Sequence, residues 1–215
     1  MNSRRKKIAI LDYGINNLYS VFRACEIHNS LPVLVRDPNL IKDFDALILP
    51  GVGAYGAAMQ RLEELNLVSA ILSFIKSGKQ VLGICLGMQL LLEESYEFSN
   101  KEGIKGIGFF KGSVKPFNFL NLDETVPIPH VGWNNIEFDK QSEFLTGLPS
   151  NSLMYFVHSL YADMNITSDI ASYTCYGDIK FASSIQLENV FATQFHPEKS
   201  AKQGLLIYSN FINSI

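Results

Sequence analysis

Hydrophobic and polar positions along this chain change rhythm near its middle. In the first half, short apolar runs are each followed by a stretch of helical periodicity: KIAILDYG precedes one over residues 17–28, DALILPGVG one over 54–65, and QVLGICLG one over 86–94. This alternation predicts an α/β fold with a parallel central sheet. From about Gly106 the apolar segments shorten and alternate, as in SLMYFVHSLYA, DIASYTCYG, FASSIQL and NVFATQF, which predicts antiparallel or mixed strands. The final segment AKQGLLIYSNFINSI reads as a helix with Leu205, Leu206, Tyr208, Phe211 and Ile212 on its apolar face. With no internal repeat or low-complexity linker in between, one domain over residues 1–215 is expected.

Three of the early runs end in glycine-bearing turns: Gly14 in LDYGINN, Gly51 and Gly53 in LPGVG, and Gly83 and Gly87 in GICLG. Ligands of open α/β sheets bind beyond the carboxyl ends of the strands, so these turns are expected to share one cleft.

Composition narrows the function. A formal net charge of −3, with cations dispersed apart from RRKK at residues 4–7, gives no basic surface of the kind nucleic acids require. No apolar run reaches membrane-spanning length, and the basic start turns acidic too soon for a signal peptide, so a cytoplasmic protein is expected. Three widely spaced cysteines, Cys25, Cys85 and Cys175, argue against a disulfide framework or a zinc site, and the four histidines lack metal-pair spacing. Neither a metal nor a cofactor is expected.

The candidate chemistry centres on Cys85. It stands between Gly83 and Gly87, where an apolar run gives way to a helical pattern, and those glycines suggest a sharp backbone turn. G-I-C-L-G has the form of a nucleophile elbow with sulfur in place of a serine hydroxyl, and a helix start favours the reactive thiolate. The competing reading is a small buried residue, which is the one favoured for Cys25 and Cys175 because neither has an elbow. In VFATQFHPEKS, His196 and Glu198 are two residues apart and would share one side of an extended backbone, where the carboxylate orients the imidazole. Together Cys85, His196 and Glu198 fit the logic of a nucleophile, base and orienter.

LPGVGAYGAAM, GICLGMQLL and QFHPEKS, in this order and at these separations, make the chain resemble the class I (triad-type) glutamine amidotransferases. DYGINNLYSV, PHVGWNNI and YFVHSLYA extend the resemblance over essentially the whole chain, and the variants are most similar to glutaminase subunits of imidazole glycerol phosphate synthases. The resemblance implies a flavodoxin-like open sheet, mainly parallel with added antiparallel strands and with helices on both faces. It also implies L-glutamine as substrate, with Cys85 attacking the carboxamide, His196 as acid and base, and Glu198 orienting it.

Oxyanion donors are then expected at the backbone N–H of Leu86 and in the Gly51, Val52, Gly53 turn, where a peptide reorients before the hole is complete. Gln89 is a candidate substrate contact, and Glu97 either holds the substrate α-amino group or is a solvated member of a cluster with Glu93 and Glu94. The implied partner is a (β/α)₈ cyclase subunit, joined as a heterodimer with an ammonia passage. Asn17, Trp133, Tyr155, His158 and Lys199 are interface or signalling candidates; without the resemblance, Trp133 and Tyr155 would read as core. The chain departs from the family pattern at Asn16, where glycine is usual, and at Leu160, where tyrosine is common. Alternative readings are a paralogous subunit feeding ammonia to surface-sugar amidation, a stand-alone thiol hydrolase of the same fold, and a non-enzymatic regulatory subunit.

Overall fold

The computed structural model describes residues 4–14, 18–99, 102–119, 126–138 and 142–215. Its first half contains β1 (Lys7–Leu11), α1 (Leu18–Ile27), β2 (Leu31–Val35), β3 (Ala46–Gly51), α2 (Tyr55–Glu64), α3 (Leu67–Lys76), β4 (Val81–Cys85) and α4 (Leu86–Leu90). Next come β5 (Glu94–Ser95), β6 (Ile104–Lys105), β7 (Gly112–Pro116), β8 (His130–Ile136), β9 (Ser152–His158) and β10 (Leu160–Met164). The chain finishes with β11 (Ile170–Tyr176), β12 (Ile179–Leu187), β13 (Val190–Thr193) and α5 (Ala201–Asn213).

Among the described residues an 11-stranded sheet runs β2-β1-β3-β4-β13-β12-β10-β7-β5-β6, with β11 paired to β12, and β8 and β9 form a separate ladder. The pairings from β2 across to β13 are parallel, and β13, β12, β10 and β7 then continue antiparallel. This is the expected mixed architecture.

Strand residues alternate between two packed faces. Ala9, Leu11, Leu47 and Leu49 join residues of α2, α3 and α4 in one cluster, whereas Ile8, Ile10, Ala46 and Ile48 join residues of α1 and α5 in the other. Helices therefore cover both faces, which is why these strands read as unbroken apolar runs. Fully burying each of these leucine and isoleucine side chains contributes about 1.5–3 kcal/mol.

Several element expectations need correction. The pattern after Cys85 was expected to stay helical through residue 94, but α4 ends at Leu90. The carbonyls of Leu90, Leu91 and Leu92 accept instead from the N–H groups of Ile107, Phe109 and Gly108, so a distant loop takes the place of the next helical turn. In α5 the buried stripe is Gly204, Ile207, Tyr208, Phe211 and Ile212, with Leu205 and Leu206 only partly buried at its edge. The strand β2 and the helix α3 were not identified from the pattern.

Candidate active site

β3 and β4 end side by side, with Gly51 paired to Cys85. Cys85 is the last residue of β4 and caps α4, at φ 52° and ψ −107°. A non-glycine residue held there costs about 1–3 kcal/mol, so the strain of the strand-to-helix turn sits on the cysteine itself. This corrects the expected role of its neighbours: neither Gly83 nor Gly87 has a positive φ. Gly87 provides clearance, because a Cβ there would run into the Leu49 carbonyl of β3.

His196 follows β13 with an extended backbone, and Glu198 lies in the tight 3-10 turn Pro197–Lys199 rather than farther along an extended strand. The two side chains nevertheless meet: His196 Nδ1 lies 2.7 Å from Glu198 Oε1, with 4% and 2% of the side chains exposed. A carboxylate only accepts, so the imidazole proton lies on Nδ1 in this contact. The other ring nitrogen, Nε2, is buried with no hydrogen-bond partner of ordinary geometry among the described residues. Burial disfavours the imidazolium, but the charges of Cys85 and Glu198 outweigh it and push His196 up to about 10.

Two further residues brace the site, Gln194 beside Cys85 and Ser200 beside His196. Gln194 is fully buried; its Oε1 accepts from Gln89 Nε2 at 2.9 Å, and its own Nε2 lies 3.7 Å from Cys85 Sγ. Ser200 Oγ donates to the His196 carbonyl at 2.6 Å and accepts from the Tyr155 N–H at 2.9 Å. The His196 N–H donates to the Tyr155 carbonyl at 2.9 Å, so the histidine backbone is tied to β9. The sequence reading missed both. Gln194 could have been found by extending the two-residue spacing of His196 and Glu198 one step back; Ser200 acts through backbone bonds and left no such signal.

A cavity of about 660 Å³ opens on this cluster, lined by Cys85, Leu86, Gln89, Val52, Gly53 and Glu97 among others. Gly51 is buried at the end of β3, and the Val52–Gly53 segment begins the wall, with Gly53 at φ +95°. Gln89 is buried and also donates to Leu160 O at 2.9 Å, so the departure at Leu160 meets the site through its carbonyl. Glu97 is buried, not a solvated cluster member: its two oxygens accept from the N–H groups of Tyr55 and Gly56 at 3.1 and 3.0 Å, satisfying the start of α2 while it faces the cavity. The supposed cluster is dispersed, since Glu93 pairs with Lys111 and Glu94 accepts from Tyr96.

The remaining candidates occupy different settings. Trp133 is 52% exposed, not core, and faces the partly buried Tyr155 across the β8–β9 ladder with ring centroids 6.0 Å apart. Lys199 is exposed. His158 lines the cavity; its Nδ1 donates to Leu160 O at 2.8 Å, so its Nε2 accepts from His130 Nδ1 at 3.0 Å. Burial pushes His158 down to about 3 and His130 to about 4, which keeps the pair neutral. Asn17, like Asn16, lies outside the described residues. Cys25 is buried as expected, but Cys175 is exposed, which corrects its core assignment. Among the described residues no group of His, Cys, Asp or Glu could hold a metal ion, and no helix is long and apolar enough to cross a membrane.

Comparison with known proteins gives the same family as the motifs. The model of the class-I glutamine amidotransferases matches residues 9–214. Imidazole glycerol phosphate synthase subunit HisH of Aquifex aeolicus is 47% identical over 206 residues, covering 95% of each chain. The Pyrococcus furiosus subunit of that name is 42% identical over 205 residues, covering 95% of this chain and 97% of its own. Among solved structures, PurLQS from Thermotoga maritima aligns with a TM-score of 0.74 at 16% identity, over 98% of this chain and 99% of the other. A glutamine amidotransferase from Thermotoga maritima aligns at 0.61 and 14% identity, over 99% and 86%. Those two likenesses concern the fold alone, whereas the family match spans nearly the whole chain. The chain belongs to the class-I glutamine amidotransferases.

Proposed function

We propose that this chain is the glutaminase subunit of an imidazole glycerol phosphate synthase, a single domain over residues 1–215 acting in histidine biosynthesis. Extensive identity to HisH subunits supports the pathway. The observation that carries the chemistry is strained Cys85 at the wall of the cavity, with the buried His196–Glu198 pair behind it and the His196 imidazole within reach of the Cys85 charge.

In this reading the Cys85 thiolate attacks the side-chain carboxamide carbon of L-glutamine. The carbonyl oxygen gains negative charge and is held by the N–H groups of Leu86 and of the Val52–Gly53 turn. His196, protonated because two anions flank it, gives its Nε2 proton to the departing nitrogen, and ammonia leaves a glutamyl thioester. Neutral His196 then takes a proton from water, hydroxide adds to the thioester carbon, and collapse releases glutamate and restores thiolate and imidazolium. Glu198 fixes the tautomer throughout. Gln89 and Glu97 contact the substrate, with Glu97 placing a carboxylate for its α-ammonium. No cofactor enters the cycle.

The ammonia acceptor belongs to a (β/α)₈ cyclase subunit, with which the chain forms a heterodimer enclosing an ammonia passage. Trp133, Tyr155, His158, Lys199 and Asn17 serve that interface or its signalling. The exposed apolar side chains of Val131, Trp133 and Val157 on the β8–β9 ladder support this placement.

The test is glutamate release from glutamine, with and without the cyclase partner and its ribonucleotide ligand, using Cys85→Ala as the blank. Cys85-dependent release stimulated by both additions is expected. Release without stimulation by a competent pair assigns the ammonia to another acceptor, and no Cys85-dependent release refutes the glutaminase reading.

A further inference from the structure

The turn proposed to hold the oxyanion follows Pro50 and Gly51, which pair with Ile84 and Cys85 of β4, and one side chain outside the proposed machinery fastens this end of β3 from its other side. Tyr13 is fully buried, and its hydroxyl donates to the Pro50 carbonyl at 2.7 Å. The β1–β3 ladder has already run out, its last registered pair being Ile10 with Ile48. Proline has no N–H, so Pro50 offers only its carbonyl to its surroundings. The phenol thus extends the restraint of β3 two residues past its ladder with β1. A Cβ on Gly51 would collide with the Tyr13 hydroxyl and press on Leu86 Cβ, so phenol, turn and the residue following the nucleophile are in close contact.

The phenol is itself held from outside the core. Asp12 Oδ1 accepts from the Gly14 N–H at 3.1 Å, and Asp12 Oδ2 accepts from Arg36 at 2.8 Å. The Asp12 N–H donates to Val35 O at 2.9 Å. This clamp fixes the backbone on either side of Tyr13.

We infer that Tyr13 is a positioning residue for glutamine hydrolysis: its hydroxyl anchors the fixed end of the oxyanion turn, so that any reorientation is confined to the Val52–Gly53 peptides. Burial and the nearby Cys85 charge push the phenol well above its usual range, so it remains a hydrogen-bond donor across the working pH. The inference rests on the glutaminase reading above. The hydroxyl acts on the transition state, because the ground-state carboxamide of glutamine carries no negative charge for the turn to hold.

The experiment compares wild type with Tyr13→Phe in the complex with the cyclase partner. Expected are a kcat for glutamate release lower by on the order of tenfold, from loss of a buried hydrogen bond at the turn, and a rate of Cys85 alkylation by iodoacetamide, followed by mass spectrometry, equal to wild type. Glutamine affinity, measured in a Cys85→Ala background with and without Tyr13→Phe, is expected to agree within about twofold, as for a group acting only in the transition state. An unchanged kcat overturns the assignment, as does an equal loss of glutamine affinity, which would make Tyr13 a general support of the pocket. Should Tyr13→Phe not fold, exposed Arg36→Ala loosens the same clamp and is expected to lower kcat about threefold with affinity retained; no loss of kcat overturns the proposal. If wild type shows no Cys85-dependent release, the glutaminase reading itself has failed; if it does and Tyr13→Phe matches it, only the Tyr13 assignment falls.

Discussion

Glu198→Gln removes a charge while leaving an oxygen for His196 Nδ1, so it isolates electrostatics from orientation. The wild-type contact is 2.7 Å long between side chains at most 4% exposed. An opposite charge this close raises a histidine by roughly one to three pH units, or about 1.4–4 kcal/mol at 1.36 kcal/mol per unit. Cys85 raises His196 as well, and that separate contribution survives the substitution. The retained hydrogen bond preserves part of the Glu198 contribution, so kcat/KM should fall about 10- to 100-fold rather than by the full amount.

The pH dependence gives the sharper check. In wild type the imidazolium persists until its raised value near 10, so the alkaline fall in kcat/KM lies far above neutrality. In Glu198→Gln that fall moves to lower pH, and the deficit at pH 9 exceeds the deficit at pH 7. The folding contribution has the matching sign. A histidine raised in the folded state stabilises fully below its unfolded value, about 6.5, and loses that contribution as pH climbs toward 10. Thermal melting should therefore show the largest deficit near pH 6, at most about 3–5 kcal/mol for a broken buried pair, narrowing by pH 10. A uniform rate loss with an unmoved alkaline limb, or a melting deficit that grows with pH, would refute the reasoning.

Other outcomes follow from single residues. Cys85→Gly should be more stable than Cys85→Ala by about 1–2 kcal/mol, because glycine relieves the positive φ that alanine retains, as chemical denaturation of the two inactive variants would show. Trp133→Ala, at a half-exposed position on the β8–β9 ladder, should change the melting temperature little while weakening association with the cyclase partner at least tenfold by titration calorimetry. Unchanged affinity would remove Trp133 from the interface.

What the sequence disclosed depended on whether a residue's role leaves a local mark. Ile8 to Leu11 and Ala46 to Leu49 pack against helices on both faces, so the central strands read directly from their apolar runs. Cys85 and the meeting of His196 with Glu198 were legible because an elbow and a two-residue separation are local signals, although Glu198 reaches the imidazole from a tight turn and not along an extended strand. The end of α4 was not, since its cause is a loop more than ten residues farther along that takes the carbonyls of Leu90 to Leu92. Gln194, Ser200 and Tyr13 escaped for a related reason: each acts through a contact with a strand or turn distant in sequence. Cys175 misled because the lack of an elbow was taken to favour core packing; β11 lies off the main strand path, paired to β12, and turns that side chain outward.

All ten residues from 81 to 90 are buried, whereas the cavity wall also draws on Phe98, Ile128 and Ser159, which are exposed. A substitution in the first set disturbs the core and the proposed nucleophile Cys85 together; one in the second meets only the cavity. Mutational tolerance is thereby partitioned along the chain. Libraries aimed at a new amide substrate should vary the outer wall and leave residues 81–90 untouched, since selection there would spend most variants on failed folds.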